Sequence, residues 1–322
     1  MKKSWIRFWL AAALVFAAAA PAVAQDSGPP IRFVVSGAAG GSIDILARMI
    51  AQESAKILGT TIVVENKPGN SGIVGAAEVA KAAPDGRTFL FTTVGPMVNN
   101  AAVFAKLPYD AAKDFVPVSA VGRFPLTFFV RADSPYKSVM DVVAAAKARP
   151  GALNFGTAGP ANLTNLAAER LAELQGFKFT AVPYNSEPAM MVALGGGQVD
   201  VVITTLSGGI ALVQGGRLRA LAMLDAERFP MLPDVPTMKE QGVAGLEAAG
   251  TPCIYAPTGT PREAIDRLNR SVTQVLRLPE VARKMRELLM VPQGGPPEEL
   301  TAIMKLEGER WVPIIKRLGI RQ

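Results

Sequence analysis

Hydrophobic and polar positions follow two rhythms along this chain. An apolar run at 31–35 passes through the glycine-rich stretch Ser36-Gly37-Ala38-Ala39-Gly40-Gly41-Ser42 into apolar positions at Ile43, Leu46, Ala47 and Ile50. That i, i+3, i+4, i+7 spacing predicts an amphipathic helix with Ser42 as N-cap, Asp44 in the first turn and Gly59 just past the end. Runs at 61–65 and 88–93 predict two more strands, 74–82 a short helix after a turn at 66–70, and 104–116 a loop. Strands this apolar, separated by helices, predict a mostly parallel sheet covered on both faces.

A second unit with the same rhythm starts at an apolar run, 126–130. Ser138 and Asp141 have capping-box spacing and open a helix to 148. A strand at 153–155 leads into Gly156-Thr157-Ala158-Gly159-Pro160-Ala161-Asn162 and then a helix over 163–175 stopped by Gly176, repeating the opening arrangement. Strands at 179–182, 199–204 and 218–223 alternate with helices near 188–194 and 208–214, and 232–237 is irregular. A strand at 253–257 precedes Thr260-Pro261-Arg262-Glu263, read as a second capping box, and a helical tail broken at Pro279 and around 292–297. A tail without strands cannot make its own sheet and is predicted to pack on the first unit. The α/β chain then has two lobes, 25–124 with 251–322 and 125–250, with crossings near 124–128 and 245–253.

The first 24 residues change the picture of composition. Lys2, Lys3 and Arg7 precede an apolar run over 8–20 and then Ala22-Val23-Ala24, the pattern of a signal peptide cleaved after Ala24, with an uncleaved anchor as the alternative. Export to the periplasm follows. The formal charge of +7 falls to +4 once those three cations are removed. A mild positive balance without a Lys/Arg run does not point to nucleic acid but suits small anionic ligands. The single cysteine, Cys253, allows no internal disulfide and reads as buried and inert rather than nucleophilic. The chain has no histidine, which removes the commonest general base and metal ligand. Glu298, Glu299, Glu307 and Glu309 fit helix starts or solvated faces better than a metal site. No catalytic residue, metal or cofactor is predicted.

A strand feeding a helix through glycines leaves N–H groups free at the positive end of the helix dipole, a ready anion site, although a plain tight turn is the alternative. The loop lacks the spacing of a dinucleotide or Walker motif. Two such loops, one per lobe, favour binding, because ligands of open α/β sheets sit beyond the carboxyl ends of the strands. Thr92 and Thr93 could add hydroxyls or merely close a strand. Tyr184 reads equally as core edge or ligand contact, and Thr204, Thr205 and Ser207 end a strand on the same side.

The residues also carry a family resemblance. Ile31-Arg32-Phe33-Val34-Val35 with Gly40-Gly41-Ser42-Ile43-Asp44, Val63-Val64-Glu65-Asn66-Lys67-Pro68-Gly69, Leu107-Pro108-Tyr109-Asp110, Val182-Pro183-Tyr184, Gly196-Gly197-Gln198-Val199-Asp200 and Leu232-Pro233-Asp234-Val235-Pro236-Thr237 occur in the order of the Bug, or TctC-like, receptors of tripartite tricarboxylate transporters. The chain resembles that family over nearly its whole exported length. The resemblance implies a two-lobed, type II Venus-flytrap binding protein that holds a small carboxylate through backbone amides and bridging waters, a monomer that delivers it to TctA/TctB-like membrane subunits. Ligand contacts carried over are Gly40, Gly41, Ser42, Asp44, Thr93, Gly156, Thr157, Ala158, Gly159 and Tyr184, to which Ser36 and Thr204 are added as positions of departure. Ser36-Gly37-Ala38-Ala39 replaces the family's Pro-Phe/Tyr-x-Pro. Thr204 stands where many relatives carry an Asp, and without that acid the cleft is expected to disfavour an ammonium-bearing ligand. The other readings are a ligand sensor for a two-component kinase and a secreted enzyme using the same cleft.

Overall fold

The computed structural model describes residues 29–158, 162–184 and 187–321; the leader read at 1–24 and the candidate contact Gly159 lie outside the described residues. The first sheet contains β1 (Ile31–Val35), β2 (Ile62–Asn66), β3 (Thr88–Thr93), β4 (Phe115–Ala120) and, from late in the chain, β11 (Pro252–Pro257), in the order β2-β1-β3-β11-β4. The β2, β1 and β3 strands are parallel, in register from Ile31 opposite Ile62 to Val35 opposite Asn66, whereas β11 runs antiparallel to both neighbours. The sheet is therefore mixed. Strand alternation divides its side chains between two cores. Phe33, Val35, Phe89 and Phe91 face α1 (Ser42–Leu58) and α9 (Arg262–Leu276), while Val34, Leu90 and Tyr255 face α2 (Ile73–Ala80).

The second sheet is built on β5 (Gly122–Arg131), with β6 (Asn154–Thr157), β7 (Thr180–Pro183), β8 (Val201–Thr205), β9 (Leu218–Met223) and β10 (Ala249–Gly250). The β6 strand is parallel to β7 and β8, and β5 is antiparallel to β8, β9 and β10. Phe128, Phe155 and Val201 pack against α5 (Val139–Ala148) and α6 (Leu163–Gln175). Phe129 and Val202 pack against α7 (Glu187–Gly195) and α8 (Leu206–Gln214). The chain leaves the first sheet between Ala120 and Gly122 and returns between Gly250 and Pro252, so two short crossings join the lobes.

Several local expectations need correction. The N-cap of α1 is Gly41 in extended conformation, and Ser42 is the first helical residue with no side-chain cap bond. The Ser138–Asp141 capping box is present, but the one at Thr260 is not: the Thr260 hydroxyl turns back to the Pro257 carbonyl at 2.7 Å and Pro261 is the N-cap. The tail neither lacks strands nor rests on the first lobe alone: Val291–Pro292 pairs antiparallel with Arg123 and Gly122 of β5. In the last helix, α11 (Pro297–Arg317), Leu300 packs with Tyr255 of the first lobe, whereas Trp311, Ile314 and Ile315 are buried in the Phe128 core of the second.

Candidate functional site

The loop after β1 is shaped by Asp44. Its buried carboxylate accepts from the Gly40 N–H at 2.8 Å and Asn66 Nδ2 at 2.9 Å, and pairs with Arg48 Nε at 3.0 Å. Burial pushes this carboxyl up, but Arg48, the Gly40 N–H and Asn66 together outweigh it and hold it below the usual range. Gly40 sits at φ +77, where a side chain would be strained. The Gly41 N–H is taken by the Ala38 carbonyl at 3.2 Å, and the first intrahelical bond is Ile45 N–H to Gly41 C=O at 3.0 Å. The N–H groups of Ser42, Ile43 and Asp44 are left without intrahelical acceptors, at the positive end of a 17-residue helix.

These elements open on a cavity of about 590 Å³ between the lobes, walled by Ser36, Gly37 and Thr93 on one side and by Ala158, Thr164, Thr204 and Thr205 on the other. A smaller hollow of about 210 Å³ adjoins it and is lined by Gly41 and Ser42. Both wall sets lie at the carboxyl ends of strands, as the two-loop reading anticipates. No lysine or arginine lines the cavity among the described residues. On the first-lobe side an anion would be met by neutral hydroxyls, amides and the α1 terminus.

The remaining candidates divide by geometry. Ser36 Oγ lies 2.6 Å from Thr92 Oγ1, and Ala158 N–H donates to Thr164 Oγ1 at 3.1 Å, so both wall residues are fixed by neighbouring hydroxyls. Gly156 lies inside β6, where an added Cβ would stand 2.9 Å from Val202 Cγ2 and 3.0 Å from Met190 Cγ; it faces packing, not the cavity. Thr157 is buried and its carbonyl accepts the Tyr184 N–H at 2.8 Å. The Tyr184 side chain packs on the edge of the Met190 core. Gly40, Asp44, Gly156, Thr157 and Tyr184 are thus not among the residues that line the two hollows. Cys253 is wholly buried, and burial pushes its thiol up to about 12, as an inert cysteine requires.

Several wall residues escape the sequence reading. Glu187, the first residue of α7, lines both hollows, and its Oε1 accepts from Thr204 Oγ1 at 2.5 Å and Thr205 Oγ1 at 2.6 Å. The acid absent at position 204 is thus matched by one that arrives from a helix start 17 residues before Thr204. Glu307, expected on a helix start or a solvated face, lines the cavity and accepts from Trp311 Nε1 at 2.7 Å; burial pushes its carboxyl up, and Trp311 and Arg310 partly offset this. Asn99 is buried in the wall with Oδ1 unpartnered among the described residues. Buried Tyr109, of the Leu107-Pro108-Tyr109-Asp110 motif, supports this wall from behind, bonding the Pro96 carbonyl at 3.0 Å and Asn100 Nδ2 at 3.1 Å.

Known proteins share this architecture. An adipate-bound protein of R. palustris superposes with a TM-score of 0.82 at 34% identity, over 91% of this chain and 98% of that one. The malate-bound MatC of Rhodopseudomonas palustris gives 0.77 at 30%, over 89% and 98%. Protein BugT of Bordetella pertussis is 31% identical over 94% of both chains. The model of the tripartite tricarboxylate transporter family receptor matches residues 46–320. With a match of that extent and two lobes meeting at a strand-end cavity, the chain belongs to the TctC, or Bug, family of tripartite tricarboxylate transporter receptors.

Proposed function

We propose that this chain is a periplasmic solute-binding protein that captures a small organic carboxylate between its two lobes, which meet at the crossings beside Gly122 and Gly250, and presents it to TctA/TctB-like membrane subunits. The observation that carries the reading is the cavity of about 590 Å³ at the strand ends of both sheets, whose first-lobe wall offers the hydroxyls of Ser36 and Thr93 close to the α1 terminus. The carboxylate rests near the free amides of α1, with water bridging to Ser36 and Thr93. Adipate in one structural neighbour and malate in another support the ligand class. Contacts made from both lobes are complete only in the closed form, so ligand shifts the open–closed equilibrium about the two crossings. The closed form is what the transporter recognises.

A thermal-shift screen of mono-, di- and tricarboxylates tests this. A ligand at 100 times its Kd stabilises by about 2.7 kcal/mol, a rise of several degrees for a chain of this size. Absence of any shift with every carboxylate overturns the reading. Gly41→Val then tests the loop. Gly41 has extended φ/ψ of −74 and 164, which valine adopts; its Cβ would stand 3.2 Å from the Ala38 carbonyl, a contact the loop must ease by a few tenths of an ångström, in the lining of the hollow beside α1. Calorimetry should find no binding of the best ligand to a normally melting variant; unchanged affinity sinks the loop assignment.

A further inference from the structure

Two acids and no base line the cavity among the described residues, and the acids differ. Glu307 is occupied by Trp311 and Arg310. Glu187 is held on one oxygen only: Oε1 takes the hydroxyl protons of Thr204 and Thr205, while Oε2 has no hydrogen-bond partner among the described residues. The hold is built into the packing. Gly208 lies where any Cβ would overlap the Glu187 carboxylate, and the Gly208 N–H donates to Thr205 Oγ1 at 3.3 Å. With their single protons directed at Glu187, Thr204 and Thr205 have none left for a ligand. The Glu187 corner of the cavity is thus an acceptor site, and Asn99 Oδ1 in the opposite wall is a further acceptor without a donor among the described residues.

A second carboxylate placed at that end would face Glu187 with no cation between them, and like charges at close range repel. A donor cation placed there would occupy Oε2 in a charge-assisted bond. We infer that Glu187 is a specificity-determining residue that selects carboxylates bearing an ammonium group over dicarboxylates of matched length. The inference rests on the carboxylate-binding reading of the cavity and narrows it. Thr204 then serves to position Glu187, and does not itself touch the ligand.

The test is calorimetry on the full exported chain with matched pairs: β-alanine against succinate, 4-aminobutyrate against glutarate, and glutamate against glutarate, with butyrate as the singly charged reference. The wild type should bind at least one ammonium-bearing member more tightly than its dicarboxylate partner. Glu187→Gln, which keeps an acceptor for both threonines, should weaken that ligand by about 10- to 100-fold and leave or improve the dicarboxylate. Thr204→Val, which removes one of the two hydroxyl donors, should move the ratio the same way by a smaller factor. If dicarboxylates bind as tightly as their partners and Glu187→Gln leaves the ratio unchanged, Glu187 does not set specificity while carboxylate binding stands. If no carboxylate of any kind binds the wild type, the functional reading fails and this inference fails with it. Urea midpoints of both variants close to wild type establish that the ratios describe folded protein.

Discussion

Replacing Asp44 by asparagine probes the clasp that shapes the first-lobe loop without changing side-chain volume. Asp44 serves three donors: the Gly40 N–H, Asn66 Nδ2 and Arg48 Nε. An amide offers one acceptor oxygen, and whichever way it turns its NH₂ meets a donor, Gly40 in one orientation and Asn66 with Arg48 in the other. At least one bond to a charged acceptor is lost, about 1.5–3 kcal/mol, and those that survive fall to roughly half strength. The Arg48 side chain is 52% exposed, so its ion pair adds about 0–1 kcal/mol at most. The expected loss at neutral pH is about 2–4 kcal/mol, read by urea unfolding followed by circular dichroism. The pH dependence has a definite sign. A carboxyl depressed in the folded state contributes stability that is fully present above its unfolded value of about 3.9 and is lost as pH falls through the folded value. The difference between wild type and variant should hold from neutrality to about pH 5 and shrink below about pH 4. A variant within about 0.5 kcal/mol of wild type at neutral pH, or a difference that does not narrow on acidification, would refute the clasp.

Two further substitutions separate packing from binding. Gly156→Ala should cost about 1–3 kcal/mol through overpacking against Val202 and Met190, lowering the melting temperature by several degrees while calorimetry finds the ligand affinity unchanged; affinity loss without a melting change would return Gly156 to the ligand. Gly250 lies opposite Phe124 in the β5–β10 pair, and an added Cβ would overlap the phenyl ring. Since Phe124 lines the cavity, Gly250→Ala should push the ring toward the ligand and weaken binding about tenfold, about 1.4 kcal/mol; unchanged calorimetric affinity would show that the ring has another way out.

What the sequence made legible was local. Continuous apolar runs located the first glycine loop and nearly every buried strand, because a strand covered on both faces has few polar positions to interrupt its pattern. The capping box at Ser138 was legible because both partners lie within four residues. The one at Thr260 was misread because the preceding turn offers a nearer acceptor, the Pro257 carbonyl. The β4 strand was missed for a definite reason: Pro117 interrupts it, and proline is tolerated there because β4 is the edge of its sheet. The helices at Val94–Val98 and Asn100–Val103 were hidden by Gly95-Pro96, which reads as a turn. The tail was assigned to one lobe on the expectation that it holds no strand, yet Val291–Pro292 pairs with Gly122 and Arg123 of β5, and the expectation said nothing about how far a 21-residue helix reaches.

The site itself was half legible, and the half that was not is tertiary. Ser36, Gly41 and Thr93 could be placed because each belongs to a junction whose geometry follows from the strand and helix beside it. Glu187 could not be placed in that way. Its role depends on two threonine hydroxyls and a glycine from another strand–helix junction, and no spacing within 182–188 announces them. One signal was available: Glu187 stands between the end of an apolar strand and the start of an apolar helix, the same kind of junction that identified the two glycine loops. The loss of an acid at 204 was therefore a poor guide to the charge of the cleft, since position 204 supplies a hydroxyl that holds an acid from elsewhere. In a cavity closed from two lobes, polarity is a property of the assembled wall, and reading it requires every strand-end junction at once.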